Sequence, residues 1–370
     1  MSLPTWQDRA AARVAEPGEG VSRDELALAA RNHAMPAEAL RWDVTPVGLH
    51  YVLVHYDIPA VDAATWRLRV DGGAGSVVDL SLADLEAMPR STERVTLECA
   101  GNGRALLEPR PVSQPWLTGA VGTADWTGVR LVDLLDRVDL RPDAVDVVFR
   151  GADHGTERGE EQDYARALPL DEARRPDVLV ATEMNGVPLP VQHGFPARLV
   201  VPGWYGMAHV KWLTGIEVLD HTFDGFQHRA YRLRQHADDQ GVPVTRMLPR
   251  ALIQPPGYPD FMTRERNLPA GPVRLTGRAW SGRGEVTRVE VSTDDGTTWR
   301  EAELGPSAGP HAWRSFGIDW DAAPGDHRLR ARAGDDTGAV QPLEPAWSRG
   351  GFANNGDDAV PVHVHLMPRG

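Results

Sequence analysis

Short β-branched runs recur between residues 45 and 219, each closed by Gly, Pro or Asp. This pattern predicts strands over 66–70, 94–97, 145–149, 178–182, 197–201 and 211–219. "GVRLVDLLDRV" (128–138) is apolar at three- and four-residue steps and predicts a helix, as does the amphipathic stretch 22–31. The pattern then changes. Residues 236–260 carry five prolines and read as a linker or wrapping segment. Beyond them "GPVRLTGRAW", "GEVTRVEVSTDDGTTWREAEL", "AWRSFGIDW" and "GDHRLRARAGDD" alternate apolar and polar residues with period two. "DDGTTW" holds an Asp-Gly hairpin turn between two alternating strands, and "VPVHVHL" predicts the last strand. The fold class expected is α+β: a mixed domain over 1–245, followed by an all-β, immunoglobulin-like sandwich over 246–370.

Composition sharpens this only in part. Hydrophobic content of 41% and charged content of 25% describe an ordinary globular chain. Thirty prolines and 37 glycines favour loops and short strands over long helices. A formal charge of −13 argues against a nucleic-acid partner. A single cysteine excludes an intrachain disulfide and an all-cysteine metal cage. The first 20 residues show no apolar leader core, twin-arginine pair or cleavage-like site, and no apolar run reaches the ~18 residues of a membrane span. The expectation is a cytoplasmic protein.

That one thiol, Cys99, ends a strand-like run in "VTLECAGNGR" (95–104). Taken alone, a lone cysteine is most often a quiet core residue. Here a glycine-rich turn follows, whose backbone N–H groups suit close approach to an anion, and Arg104 adds a fixed cation. A thiolate in such surroundings is the form that ligates metal. A second constellation, "HGFPARLVVPGWYGMAHVKWL" (193–213), gathers His193, Arg198, His209 and Lys211 around a Gly-rich loop. Cations bordering such loops are what a phosphate-bearing cofactor requires.

"CAGN-x-R", then "MNG-x-PLP-x-x-HGFP-x-R", then "HVKWL" resembles, in order, the sulfite oxidase family of molybdopterin-dependent oxidoreductases. The resemblance covers nearly the whole chain after about residue 40, and the sandwich resembles that family's dimerisation domain. It implies a molybdenum–molybdopterin cofactor whose metal is ligated by Cys99; with no haem-attachment motif or evident haem-binding domain in the sequence, no haem is expected in this chain. It also implies oxygen-atom transfer to or from a small anionic or sulfur compound, sulfite to sulfate first. Cofactor contacts are expected from His55, Cys99, Asp153, His193, Arg198, His209, Val210 and Lys211, and catalytic roles for Cys99, Arg104 and Tyr231. No C-x-x-C-H haem motif is present, so electrons are expected to pass to an external carrier, a cytochrome or another redox protein. A homodimer is the expected assembly.

One position departs from the family. "TPVGLHYVLVHYDIP" (45–59) fits its early signature with Thr45, Pro46, Leu49, Tyr51 and Pro59 in register, which assigns His55 to the cofactor and puts Leu53 where a substrate-binding arginine belongs. "RNHAMP" (31–36) mimics the same signature out of register, so Arg31 and His33 have no assigned role. A sulfite dianion in a water-poor pocket needs its charge paired. Arg31, Arg229 and Arg232 are the candidate replacements; otherwise the substrate is less charged, or activity is lost. An S-oxide or N-oxide reductase is the rival reading. A Cys–His hydrolase, which needs its nucleophile at a helix start, and a non-catalytic binding protein are the readings from other classes.

Overall fold

The computed structural model describes residues 13–366. The leader reading of the first residues, and the outer ends of both predicted domains, fall partly on 1–12 and 367–370, outside the described residues. Sheets dominate, as the Pro and Gly content led us to expect, and the longest α-helix among the described residues is Arg23–Arg31. Ser22 caps it: its hydroxyl accepts from the Glu25 N–H while the Glu25 carboxylate accepts from the Ser22 N–H, a reciprocal box.

Two five-stranded sheets build the first domain. One runs Val77–Leu80, Leu68–Asp71, Leu213–Leu219, Asp146–Glu157, Glu160–Pro169, with Leu68–Asp71 and Leu213–Leu219 parallel. The other runs Ser91–Glu98, Val121–Arg130, Leu179–Met184, Val187–Pro188, and Arg198–Val200 joins it beside Leu179–Met184. The predicted strands are all present with shifted ends. The helix over 128–138 is not: Gly128–Arg130 finish a strand, and only Leu131–Leu135 are helical. At Gly128 the strand bulges, and a Cβ there would collide with the Val180 carbonyl. Pairing with a central strand outweighed local helical spacing.

The sandwich stacks a four-stranded sheet against a six-stranded one, over a core that includes Leu275, Val289, Phe316, Trp320, Leu329 and Val362. Asp295 and Gly296 take left-handed φ of 57° and 87° in the predicted hairpin. Val360–His365 pairs on one side with Gly325–Asp335 and, in parallel, with Arg266–Pro269 on the other. The Pro-rich stretch wraps rather than dangles: Val244, Met247 and Arg250 are buried, and Arg250–Ile253 is a strand of the sandwich.

What positions the site is the seam between the two parts. Glu98, 1% exposed and adjacent to Cys99, accepts from Asn102 Nδ2 at 2.9 Å, Trp280 Nε1 at 2.9 Å and Arg250 Nη1 at 3.1 Å. Trp280 and Arg250 belong to the sandwich, and Arg250 is completely buried. The sandwich segment 350–354 closes over the cysteine turn: Ala353 N–H donates to Ala100 O at 2.8 Å, and Asn354 Nδ2 to Gly103 O at 2.6 Å.

Candidate active site

The strand Ser91–Glu98 delivers Cys99 to the wall of a cavity that it shares with His50, Tyr51, His193, Arg198 and Lys211. Cys99 is 6% exposed, and its N–H donates to Ala120 O at 2.9 Å. Burial pushes the thiol above its usual pKa; the nearby Arg104 guanidinium, the Gly101 N–H and the Trp116 indole oppose that rise. Gly101 and Gly206 keep the approach open. A Cβ on Gly101 would lie 2.5 Å from the Arg104 guanidinium, and one on Gly206 2.5 Å from the Tyr51 hydroxyl.

The second constellation lines the same cavity. A 3-10 turn, Val191–His193, is closed by Gly194 at φ +108°, where a Cβ would crowd Arg198 and Lys211. Arg198 opens the next strand; its Nη1 donates to His193 O at 3.0 Å and its Nη2 to His209 O at 3.2 Å, while its guanidinium stacks 4.7 Å from the Trp126 ring. Burial pushes Arg198 down to about 10 and His193 to about 2, so His193 is neutral. Lys211 Nζ donates to Leu53 O at 2.8 Å and Gln192 O at 3.1 Å, and burial next to Arg198 lowers it to about 7. Asp153 stands on a bulge between Arg150 and His154; burial raises its carboxyl to about 6 despite Lys211.

These cations and polar groups are incompletely satisfied by the protein. Asp153 Oδ1, His193 Nε2 and Arg198 Nε are buried without a hydrogen-bond partner, and their residues line the same cavity as Cys99. Buried orphans of this kind ask for a polar ligand. Among the described residues no three His, Cys, Asp or Glu side chains converge on a point. The donor set therefore fits a metal held by one thiolate, with its other ligands supplied by a phosphate-bearing organic cofactor. Molybdopterin fits that description.

Two sequence-predicted contacts sit differently. His209 lines the cavity, but its ring is engaged by backbone: Nδ1 accepts from Val201 N–H at 3.1 Å and Nε2 donates to Trp204 O at 3.1 Å. Val210 is fully buried, and its N–H and C=O bond Ala208 O and Leu199 N–H, so it packs behind the wall instead of facing the cavity. His55 does face it, half-buried, with Nε2 at 2.9 Å from the Tyr231 hydroxyl. Burial keeps His55 neutral and raises the Tyr231 phenol further above its ordinary value.

A second, wider cavity shares Leu53, His55, Cys99 and Tyr231 with the first and is also lined by Arg104, Trp116, Glu157, Arg158 and Phe352. Arg104 is 5% exposed, fixed by Nε to Gly350 O at 2.9 Å and Nη1 to Gln114 O at 3.1 Å. Phe352 of the sandwich stacks 4.7 Å from Tyr231 and 5.2 Å from the Arg104 guanidinium. No local motif marks Trp116, Arg158 or Phe352 in the sequence; the Gly-rich "RGGF" (349–352) is the one hint near them.

The candidate replacement cations are engaged elsewhere. Arg31 donates to Tyr56 O; Arg229 pairs with Glu160 at 2.7 Å; Arg232 donates to Gln240 O at 2.6 Å and Gly241 O at 2.9 Å. The "RNH" of the mimic is a strut. His33 pairs with Val52, and Asn32 Oδ1 accepts from Val54 N–H at 2.7 Å, bracing the segment that carries Leu53 and His55.

Comparison with known proteins follows the same division. Residues 55–227 match an oxidoreductase molybdopterin binding domain and residues 250–365 a Mo-co oxidoreductase dimerisation domain. Mitochondrial sulfite oxidase of Rattus norvegicus is 37% identical over 355 residues, which cover 88% of this chain and 62% of that protein. The chain thus spans less than two thirds of the rat enzyme's length. A nitrate reductase [NAD(P)H] of Hordeum vulgare is 32% identical over 357 residues, 87% of this chain and 39% of that protein. Among solved structures, the sulfane dehydrogenase SoxCD of Paracoccus pantotrophus superposes with a TM-score of 0.78 at 26% identity, covering 97% of this chain and 90% of that one.

Proposed function

The chain belongs to the sulfite oxidase family of molybdopterin-dependent oxidoreductases, and from that premise we propose that it oxidises sulfite to sulfate and passes the electrons to an external one-electron carrier. The observation that carries this reading is the placement of one buried thiol between two cavities. One is lined by unsatisfied groups suited to a phosphate-bearing cofactor, the other by an arginine, a tyrosine and aromatic walls.

Cys99 would hold the metal, and His193, Arg198, Lys211 and Asp153 the polar groups of the pterin. When bound, the cofactor supplies two-electron oxygen-atom transfer. The chain's own residues do the rest. Arg104, its guanidinium plane fixed by two carbonyls, binds an anionic oxygen of the substrate. The Tyr231–His55 pair holds a proton at either the phenol oxygen or Nε2 and can pass it between the two cavities. Phe352 and Trp116 keep the reacting side dry, which strengthens every charge interaction there. Asp153 is the pterin partner whose unused Oδ1 would accept from a ring N–H.

The electron carrier, a homodimer built through the second domain, and a cytoplasmic location belong to the same proposal. Among the described residues no helix is long and apolar enough to cross a membrane. Leu53 and the likeness to a nitrate reductase favour one second reading, in which the centre runs in reverse and reduces an oxyanion or S-oxide.

Protein from a molybdate-supplied host is expected to carry one molybdenum and one pterin per chain, and to reduce ferricyanide with sulfite. Cys99→Ser should keep pterin, lose the thiolate-to-metal absorption band and show no turnover. Loaded protein that leaves sulfite untouched, yet oxidises reduced viologen with nitrate or a sulfoxide, establishes the second reading. Absence of pterin and molybdenum sinks both.

A further inference from the structure

We propose that His50 is a further cofactor-binding residue, its Nε2 accepting a hydrogen bond from an N–H of the pterin ring system. The inference rests on the molybdopterin reading above and extends it to a side chain that no motif of the family resemblance names. The 3-10 turn Val47–Leu49 ends on His50, which is 1% exposed and lines the cavity together with Cys99, His193 and Arg198. Neighbouring rings fix its orientation. It stacks on Tyr51 with centroids 5.2 Å apart, and meets Trp126 at 6.1 Å and His193 at 5.4 Å edge to face. Gly122 leaves the room for it, since a Cβ there would lie 2.5 Å from His50 Cδ2 and 2.8 Å from Nε2.

The hydrogen bonding of the ring decides what it can hold. His50 Nδ1 lies 3.1 Å from the Tyr51 carbonyl, which can only accept, so the ring proton sits on Nδ1. Burial lowers the imidazole to about 4, so the ring is neutral and Nε2 is a bare acceptor. Among the described residues nothing donates to Nε2. The Gly122 carbonyl, another polar group near the ring, is itself an acceptor and cannot serve. A buried acceptor without a donor costs stability, and a ligand that brings the donor recovers it.

The missing donor also says which part of the cofactor belongs there. An ionised phosphate only accepts, so it suits Arg198 and Lys211 and would repel a bare imidazole nitrogen. The ring N–H groups of a pterin are the complementary chemistry. Asp153, whose Oδ1 is equally without a partner, lines the same cavity. The wall thus offers acceptors to the heterocycle and cations to the phosphate, a division that fits one molecule carrying both.

The test measures cofactor content and retention, neither of which needs turnover. In protein from a molybdate-supplied host, His50→Phe keeps a buried ring but loses the acceptor. Its pterin per chain is expected to fall, and release of pterin on dilution, followed by fluorescence, to be faster on the order of tenfold. His50→Gln, whose amide oxygen accepts, should retain most of both. Loading should raise the melting temperature of His50→Phe by less than it raises that of wild type, a difference that a merely structural role would not produce. If Phe does not fold at this site, His50→Leu makes the same comparison. Pterin content and release equal to wild type in the folded variant would overturn the proposal and leave the family reading standing. A His50→Gln that releases pterin as fast as His50→Phe would overturn it as well. Wild-type protein that takes up no pterin would overturn both the proposal and the reading it rests on.

Discussion

Asp153 and Lys211 face the same cavity with opposite burdens. Burial lifts Asp153 from 3.8 to about 6, so its protonated form is the one the fold prefers. The stability it contributes is complete at low pH and is lost as pH rises through about 6, roughly 3 kcal/mol in all. Cofactor-free protein should therefore weaken between pH 4 and 6, and Asp153→Asn should flatten that slope in urea unfolding. Lys211 behaves inversely: with its folded value lowered to about 7, its contribution is present at high pH and fades as pH falls towards 7. A bound phosphate beside Lys211 would reverse this by favouring the ammonium. Gly206 makes a steric prediction. An added methyl would press on the Tyr51 hydroxyl at the cavity wall, so Gly206→Ala should lower pterin content per chain while the melting temperature stays within a few degrees. Residues that a motif named, such as Cys99, Arg104, His193 and Lys211, do line the cavities. Val210 and the ring of His209 were not legible in this way, because periodicity does not tell which atoms a neighbouring backbone will engage.

Among the elements, strand ends decide the most. The chain after Glu98 can present Cys99 only because the Glu98 carboxylate is held by Asn102, Trp280 and Arg250 in a fully buried cluster. Removing one partner leaves an uncompensated buried charge. Arg250→Ala or Glu98→Ala should therefore cost about 3–5 kcal/mol in chemical unfolding, and the double variant less than the sum. Strands were legible from β-branched runs, and the Asp295-Gly296 hairpin from its turn residues. Gly128–Arg130 misled because a short apolar stretch reads alike in a buried strand and a buried helix. That ambiguity resolves only when the partner strand, here Leu179–Met184, is known.

For the whole molecule, both parts of the chain close one site. Phe352 and the Gly350 carbonyl reach across from the sandwich to Tyr231 and Arg104. If the second domain pairs with a copy of itself, light scattering should report twice the 40.5 kDa chain mass at micromolar concentration. A mass of one chain would separate the sandwich's role in closing the site from any role in assembly. The sequence alone determined the order of domains, the cysteine turn, the cation-rich loop and the family, since each is a local string of residue types with local chemistry. The tertiary structure alone decided which side chains line the cavities beside Cys99, that Arg31, Arg229 and Arg232 bond partners elsewhere, and that Arg158 and Phe352 join the lining. These residues stand 59 and 253 positions from Cys99 along the chain. They meet it because a hairpin and a sandwich loop fold back over one strand end, and nothing in the intervening sequence encodes that distance.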